Sequence, residues 1–272
     1  MNLENYFISQ FKNPHIGDDG AYIKGMVYSK DAFFEGIHFK KEWMNYFEIA
    51  QKAMLVNISD AIAMNAKVKY ALLSVAMPKT MSKNDMEELA RGFKEVSTKY
   101  GIEIIGGDTI SNTKLDITIT LISETDYPLL RTKVKNGYLL AYTGNLGNSA
   151  KELKKLFRGG KIHKYSKFKN IELRDKFIYK TQRYLQAGMD ISDGLYSDLD
   201  KILKASGVGI KFLEHIPQYI GCSGEEYEML VAFDPRNKKA LLRYAKQTRT
   251  PLKIFAKAQR NRYFNRCKAH HF

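Results

Sequence analysis

The sequence has few cysteines and no long apolar segment. Cys222 and Cys267 are the two cysteines among 272 residues, and no CxxC spacing occurs. We therefore expect two ordinary thiols, without a disulfide framework or a zinc site. No apolar run approaches the roughly 20 residues that span a bilayer, and residues Met1 to Lys12 lack the apolar core of a signal peptide. The interpretation is a cytoplasmic protein without a membrane partner.

Acidic residues are also scarce. The chain has 29 Asp and Glu residues against 44 Lys and Arg residues, a formal net charge of +15. Such an excess suits nucleic acid, but the basic stretches at 151–183 and 235–272 lack the regular aromatic residues of a single-strand reader. We favour solvated basic faces and no nucleic-acid partner. A basic surface also attracts phosphorylated substrates, so charge alone does not decide the function.

Apolar residues suffice for a large core. They make up 44% of the chain, and aromatic residues make up 12%, which argues against a disordered chain. Strand and helix patterns alternate, which predicts an α/β (α+β) fold with helices on one face of the first sheet. Periodicity lapses after residue 130. We therefore predict one domain over residues 1–130 and a second over residues 131–272.

The pattern also predicts individual elements. Ser82 begins a helix at 83–100, Asp85 completes its capping box, and Gly101 ends it. The other predicted helices are 47–65, 148–156, 171–185, 195–206 and 237–247. The predicted strands are 21–28, 67–77, 102–105, 115–122, 138–143, 208–212, 229–233 and 252–256.

Many of the few acids cluster in short turns, several of them beside glycines. These acids are Asp18, Asp31, Asp60, Asp108, Asp190 and Asp193. Glycine lets the backbone turn sharply and approach a ligand closely. A carboxylate at the end of an apolar strand is costly unless a cation meets it. Lysine or arginine could be that cation, and several converging acids would instead suit Mg²⁺. Each turn alone is more often a simple turn or a helix cap.

Several common catalytic signatures are absent. The sequence has no GxxxxGK[ST] loop, protein-kinase motif, GxSxG elbow, zinc-type histidine pair or dinucleotide fingerprint. The glycine turn at 143–147 precedes a predicted helix. It could bind phosphate at the helix N-terminus or simply join a strand to the helix.

The acidic turns belong to seven longer segments: IGDDGA at 16–21, DAFFEGIHF at 31–39, VNISDAIAMNA at 56–66, GGDT at 106–109, TGNLGNSA at 143–150, DISDGL at 190–195 and SGEEYE at 223–228. In this order they resemble the motifs of thiamine-monophosphate kinases, within the superfamily of aminoimidazole ribonucleotide synthetase. The resemblance implies that superfamily's two-domain fold. It comprises an N-terminal mixed sheet that dimerises and a C-terminal α/β domain that covers the nucleotide.

The resemblance also implies the activity and the site. The γ-phosphoryl group of ATP would pass directly to thiamine monophosphate with several Mg²⁺ ions, in a homodimer. The implied metal residues are Asp18, Ser29, Lys30, Asp31, Asp60, Asp108, Asp190 and Asp193. The implied ATP contacts are Gly107, Asp108, Arg131 and Ser192, and the implied substrate contacts are His38, Glu225, Glu226 and Phe272. No acid or base catalyst is expected, because the acceptor is already a phosphate anion.

Four departures from the family pattern bear on single contacts. Lys30 stands where the family has a hydroxyl residue, Asn148 replaces an acid, Ser223 replaces a glycine, and Glu226 replaces an aspartate. Two other functions stay open from the sequence. One is another ATP-using enzyme of the superfamily, of the purine-pathway synthetase type. The other is a non-catalytic basic protein that binds nucleic acid.

Overall fold

The structure of the chain is a computed structural model, and it describes residues 3–268. Two sheets contain the strands of this part of the chain. In chain order the elements are α1 (Leu3–Ile8), β1 (Ala21–Ile23), β2 (Met26–Phe34), α2 (Tyr46–Ala63), β3 (Lys67–Pro78), α3 (Lys83–Tyr100), β4 (Glu103–Asn112), β5 (Asp116–Glu124), β6 (Leu139–Thr143), α4 (Asn148–Phe157), α5 (Asp175–Thr181), β7 (Ala187–Asp190), α6 (Leu195–Ser206), β8 (Gly209–Phe212), α7 (Gln218–Gly221), β9 (Met229–Phe233), α8 (Lys238–Gln247) and β10 (Leu252–Gln259).

The first sheet is mixed and has the order β1-β2-β5-β3-β4. Strands β3 and β4 run parallel, because the crossover helix α3 returns the chain to the same end of the sheet. The other neighbouring strands are antiparallel. Helices α2 and α3 pack on each other, and α2 contacts β2, β3 and β5. The predicted α+β fold, with a mixed sheet and helices on one face, is confirmed.

Helix α2 lies between the two sheets. It begins at Asn45, whose side chain accepts the backbone N–H of Glu48 in a capping box. Its residues are buried on almost every side of the helix, as expected for a helix enclosed by protein. It packs on the first sheet and also contacts β7 of the second. Residues on α2 are therefore placed to meet residues from both halves of the chain.

The second sheet is antiparallel and has the order β7-β9-β6-β10-β8. Strand β5 of the first sheet ends at Glu124 and strand β6 of the second begins at Leu139. The predicted domain boundary after residue 130 falls within this connection, and as a domain boundary it stays a prediction. Within residues 3–268, no helix is long and apolar enough to cross a membrane.

Most predicted elements are confirmed, and two are wrong. The capping box of Ser82 with Asp85 and the left-handed Gly101 bound α3 as predicted. The predicted strand 21–28 is a hairpin, because Lys24 and Gly25 both take positive φ and reverse the chain in a two-residue turn. The predicted helix 171–185 shortens to α5, which begins only after Arg174.

Strand β7 was not predicted. All four of its residues are buried, so it has no alternating pattern.

The prediction of two separate thiols is also wrong. Cys222 and Cys267 form a disulfide across a sequence separation of 45, with their Cα atoms 5.5 Å apart. Spacing along the chain could not reveal this pair, because the tertiary fold brings the two residues together. The disulfide joins the segment that follows β10 to the start of the 223–228 motif.

Candidate active site

Three carboxylates from distant parts of the chain meet between the sheets. Asp19, Asp60 and Asp190 each offer one oxygen, and these oxygens lie within 4.8 Å of one another. Asp19 lies in the turn before β1, Asp60 in α2, and Asp190 at the end of β7. The Ser59 hydroxyl on α2 donates a hydrogen bond to Asp190 Oδ2 at 2.7 Å. This bond links α2 to the end of β7.

Burial and mutual repulsion raise the pKa of these carboxyl groups. Desolvation is the largest cause for Asp60 and Asp190, and the neighbouring acids raise both pKa values further. The Asp31 carboxyl on β2 joins the group, and burial with the charge of Asp19 raises its pKa to about 6. Burial also raises the pKa of Asp19, although the Arg131 guanidinium opposes that shift. The site therefore concentrates negative charge that one arginine does not balance.

This arrangement fits hard divalent cations. Carboxylate and hydroxyl oxygens are the ligands that Mg²⁺ prefers, and a cation would remove the repulsion among the acids. Two buried oxygens here, Asp19 Oδ2 and Ser29 Oγ, lack hydrogen-bond partners among the described residues. Ser29 and Asp31 lie on the same face of β2, since side chains alternate along a strand. Buried oxygens of this kind are suited to a metal or its bound water.

The structure brings together some predicted metal residues and separates others. Asp31, Asp60 and Asp190 lie in the group just described. Asp18 instead accepts the backbone N–H of Arg131 at 2.7 Å, and its neighbour Asp19, which the sequence analysis did not choose, supplies the clustered carboxylate.

Lys30 and Asp193 lie apart from that cluster. The Lys30 ammonium lies on the opposite face of β2 from Asp31 and donates to Thr118 at 3.3 Å, so it adds no cation to the cluster. The Asp193 carboxylate pairs with Lys201 at 2.6 Å. Metal roles for Asp18, Lys30 and Asp193 stay predictions.

Asp108 and Gly107 lie on the edge strand β4. Asp108 pairs in register with Ser74, which pairs with Thr118 of β5. These side chains therefore share one face of the first sheet, the face opposite helix α2, which is called the open face below. Gly107 has a φ of +147°, and a Cβ there would lie 1.6 Å from the Leu73 carbonyl oxygen. Only glycine fits this backbone, which leaves its peptide groups accessible to a ligand, as the predicted ATP contact requires.

Two further predicted ATP contacts, Arg131 and Ser192, border the acids. Arg131 donates to the Gly17 carbonyl at 3.2 Å and pairs with the Asp19 carboxylate. Ser192 accepts the backbone N–H of Glu225 through its carbonyl at 2.7 Å. Ser192 therefore links the DISDGL segment to the segment that carries two predicted substrate contacts.

The predicted substrate contacts occupy different environments. Glu225 is partly exposed and pairs with Lys52 of α2 at 2.8 Å. His38 Nδ1 accepts the backbone N–H of Phe34 at 2.9 Å, and its ring stacks on Phe33. Phe272 lies outside the described residues, so its predicted contact with the substrate stays a prediction.

Glu226 is buried and binds the protein itself. Its Oε1 accepts the N–H groups of Gly147 and Ser149 at 2.8 and 3.2 Å, at the N-terminus of α4. The next acid, Glu228, fills the space beside Gly144. Two carboxylates of the chain therefore occupy the glycine turn at 143–147. Of the two interpretations left open by the sequence, this favours a strand-to-helix turn over a phosphate site.

Sequence reasoning missed two residues near the site. Asp19 is one half of an acidic pair, and only the tertiary structure shows which of the two carboxylates points into the cluster. Lys52 carried a detectable signal, because it stands three residues after Ile49 and so falls on the apolar face of a predicted helix. A charged residue at such a position indicates either that the apolar face of the helix has been wrongly assigned or that the residue forms a buried ion pair.

Comparison with known proteins agrees with the fold and with the motifs. The family model described as "AIR synthase related protein, N-terminal domain" matches residues 17–125. A thiamine-monophosphate kinase of Buchnera aphidicola subsp. Schizaphis graminum is 35% identical over 262 residues, which cover 83% of this chain and 78% of that protein. A thiamine-monophosphate kinase of Leptospira interrogans is 33% identical over 235 residues, covering 78% of this chain and 76% of that protein.

A solved structure shares the whole fold. The structure described as "AaThiL complexed with AMPPCP and TMP" has a TM-score of 0.86 and 23% identity, and the match covers 99% of this chain and 96% of that one. The fold is that of this structure, and residues 17–125 match the model of the AIR synthase related N-terminal domain. The identity of the chain to full-length relatives shows that it belongs to the thiamine-monophosphate kinase family, a family of phosphoryl-transfer enzymes.

Proposed function

We propose that this enzyme transfers the γ-phosphoryl group of ATP to thiamine monophosphate, with Mg²⁺ bound by the clustered acids. The observation that carries the proposal is the convergence of Asp19, Asp60 and Asp190 within 4.8 Å. Support also comes from the relatives' name and from the solved structure of similar fold, which is described as holding AMPPCP and TMP.

The residues of the chain would act mainly by positioning the two substrates. Mg²⁺, when bound, would neutralise phosphate charge and stabilise the charge that spreads in the transition state. Asp31, Asp60 and Asp190 would hold it, and Arg131 would keep Asp19 in place. The peptide groups of Gly107 would approach the nucleotide without a side chain in the way. The acceptor oxygen is already anionic, so an in-line transfer needs no general base from the chain.

The direct test is product analysis. Purified enzyme with ATP and Mg²⁺ is assayed with and without thiamine monophosphate, while ADP and thiamine diphosphate are followed by chromatography. We expect thiamine diphosphate in a one-to-one ratio with ADP. ADP without a thiamine product would contradict the proposed acceptor, and no ADP under any condition would contradict phosphoryl transfer by this chain.

The acid cluster is tested by single substitutions. Asp60→Asn and Asp190→Asn remove ligands for the cation with little change in volume, so we expect turnover to fall by about 10²-fold or more while the fold is kept. Asp126→Asn alters an exposed acid outside the cluster and is the matched control. Thiamine diphosphate formation gives the activity and circular dichroism gives the fold. Full activity in both cluster variants would contradict the metal assignment.

We also propose that the active enzyme is a homodimer formed through the open face of the first sheet. In the strand order, Asp108 on β4 lies three strand spacings from Asp31 on β2, a distance of ~14 Å. The two acids also occupy opposite faces of the sheet. Asp108 therefore does not join Asp31 within one protomer. The exposed apolar side chains Tyr28, Tyr70 and Ile110 on this face support the proposal.

A further inference from the structure

Lys52 is a fully buried lysine in the middle of α2. Its ammonium lies 2.8 Å from Glu225 Oε2 and 3.4 Å from the centroid of the Phe168 ring. The ring of Phe33 lies on another side, with its centroid at 5.9 Å. The ammonium is therefore enclosed by one carboxylate and two aromatic rings, and it is not open to a phosphate group.

A lysine in this place is not explained by stability. Burial lowers the pKa of Lys52, against the effect of the Glu225 charge, which shows that the charged form is held at a desolvation cost. An apolar residue of similar length would pack between the rings without that cost, and replacing buried ion pairs by apolar residues is often neutral or stabilising. The role of the Lys52 charge therefore lies in its effect on its partner, Glu225.

Glu225 is held in one orientation. Its backbone takes a φ of +54°, a conformation that side chains other than glycine adopt at a cost. Its N–H donates to the Ser192 carbonyl at 2.7 Å, and its side chain remains 23% exposed. The backbone is thus tied to the DISDGL segment and one carboxylate oxygen to α2, while part of the side chain stays exposed.

We propose that Lys52 is a positioning residue for the acceptor substrate: it holds the Glu225 carboxylate in a single rotamer facing the thiamine moiety of thiamine monophosphate. This inference rests on the proposed function. The thiazolium ring of thiamine is permanently cationic, so a fixed carboxylate would attract and orient it. Glu225 without Lys52 would be free to rotate or to turn away from the thiamine moiety.

The chain contains a matched control pair. Lys169 pairs with Glu48 at 2.9 Å, and Glu48 lies one helical turn before Lys52 on α2. Lys169 adjoins Phe168, the residue whose ring covers Lys52. This second pair therefore also joins α2 to the second half of the chain, but it includes no predicted site residue. A loss of contact between the two halves of the chain should affect both pairs alike.

The test separates acceptor binding from general damage. The variants are Lys52→Met, Glu225→Gln, the double variant and Lys169→Met, assayed for thiamine diphosphate while each substrate is varied separately. For Lys52→Met and Glu225→Gln we expect the KM for thiamine monophosphate to rise about tenfold or more, with the KM for ATP within about twofold. The double variant should be no worse than Glu225→Gln alone, since both changes remove one interaction. Lys169→Met should leave both KM values near wild type.

Several outcomes would overturn the inference. One is an unchanged KM for thiamine monophosphate in Lys52→Met. Another is an equal rise in both KM values, or an effect of Lys169→Met of the same size. Where Lys52→Met does not fold, Lys52→Gln decides by the same criteria, because it removes the charge and keeps a hydrogen-bond donor. A wild-type enzyme that makes no thiamine diphosphate would instead contradict the proposed function, so the two failures are distinguishable.

Discussion

At the scale of single residues, the acid cluster places like charges together in a buried site. The pKa of Asp31 rises from 3.8 to about 6 through burial and the charge of Asp19. A carboxyl group whose folded-state pKa is raised binds its proton more tightly in the folded state. Its contribution to stability is therefore fully present below pH 3.8 and is lost as the pH rises through 6. Without a cation, the cluster should weaken the fold at neutral pH.

The Asp31→Asn variant tests this linkage. In protein treated with a chelator, we expect the variant to be more stable than wild type at pH 7.5 by about 3 kcal/mol. The difference should vanish below about pH 3, where Asp31 is protonated in both states. Urea unfolding across this pH range gives the free energies. A difference that stays constant with pH would show that the repulsion at Asp31 is not its source.

Single residues also show how far the site could be predicted. The motifs pointed to the acidic turns, and Asp31, Asp60 and Asp190 do meet. They did not distinguish Asp18 from Asp19, because adjacent side chains in an irregular turn have no fixed direction. The burial of Glu226 beneath α4 could not be predicted either, because it depends on how α4 packs against the loop before β9.

At the scale of elements, the β3–β4 pair depends on one glycine. The Leu73 carbonyl would lie 1.6 Å from a Cβ at Gly107, and the positive φ adds backbone strain for any other residue. The edge strand that carries Asp108 is therefore fitted closely to its neighbour. Such a fit keeps the backbone of β4 fixed while its outer edge stays exposed.

Gly107→Ala should disrupt this pair. We expect the free energy of unfolding to fall by about 3 kcal/mol or more, since the new methyl group meets backbone that cannot move aside. Gly101→Ala is the control, because Gly101 also has positive φ but faces open space, and it should lose only about 1 kcal/mol. Chemical denaturation gives both values. An equal loss of unfolding free energy in the two variants would mean that the close approach to Leu73 does not contribute to stability.

Elements differed in how well the sequence predicted them. Helix α3 was predicted correctly, because the sequence carries a capping residue at each end, Ser82 at the start and Gly101 at the end. Strand β7 carries no local signal, because both of its faces are covered by protein. The hairpin at Lys24 and Gly25 was missed because lysine rarely adopts the positive φ that this turn requires.

At the scale of the whole molecule, a disulfide closes the second half of the chain. Cys222 and Cys267 join across a separation of 45, which in the chain-entropy model stabilises the fold by up to about 4 kcal/mol. The cysteine at 222 immediately precedes the SGEEYE motif. The constraint therefore acts next to the predicted substrate contacts.

Reduction of the disulfide should destabilise the protein. We expect a reducing agent to lower the free energy of unfolding by about 2–4 kcal/mol. The double variant Cys222→Ser and Cys267→Ser should be lowered to a similar value and should not respond to the reductant. Thermal unfolding with and without reductant measures both effects. Wild type that is indifferent to reduction would show that the bond adds no stability.

The proposed homodimer belongs to the same scale. Ile110 is 57% exposed on the open face of the first sheet. We expect Ile110→Glu to yield a monomer, because a charge would be buried in the interface. Leu242→Glu changes an exposed apolar residue on α8 and is the control. Light scattering after size exclusion gives the mass. A monomeric wild type that is fully active would contradict the dimer.

The sequence by itself determined the fold class, most helices and strands, and the family, because these depend on local patterns and on motifs written in order along the chain. The tertiary structure alone decided which acids meet, that Lys52 is paired with Glu225, and that two distant cysteines are bonded. These are contacts between residues far apart in the chain. Their geometry depends on how the two sheets pack around α2, and no local pattern encodes that packing.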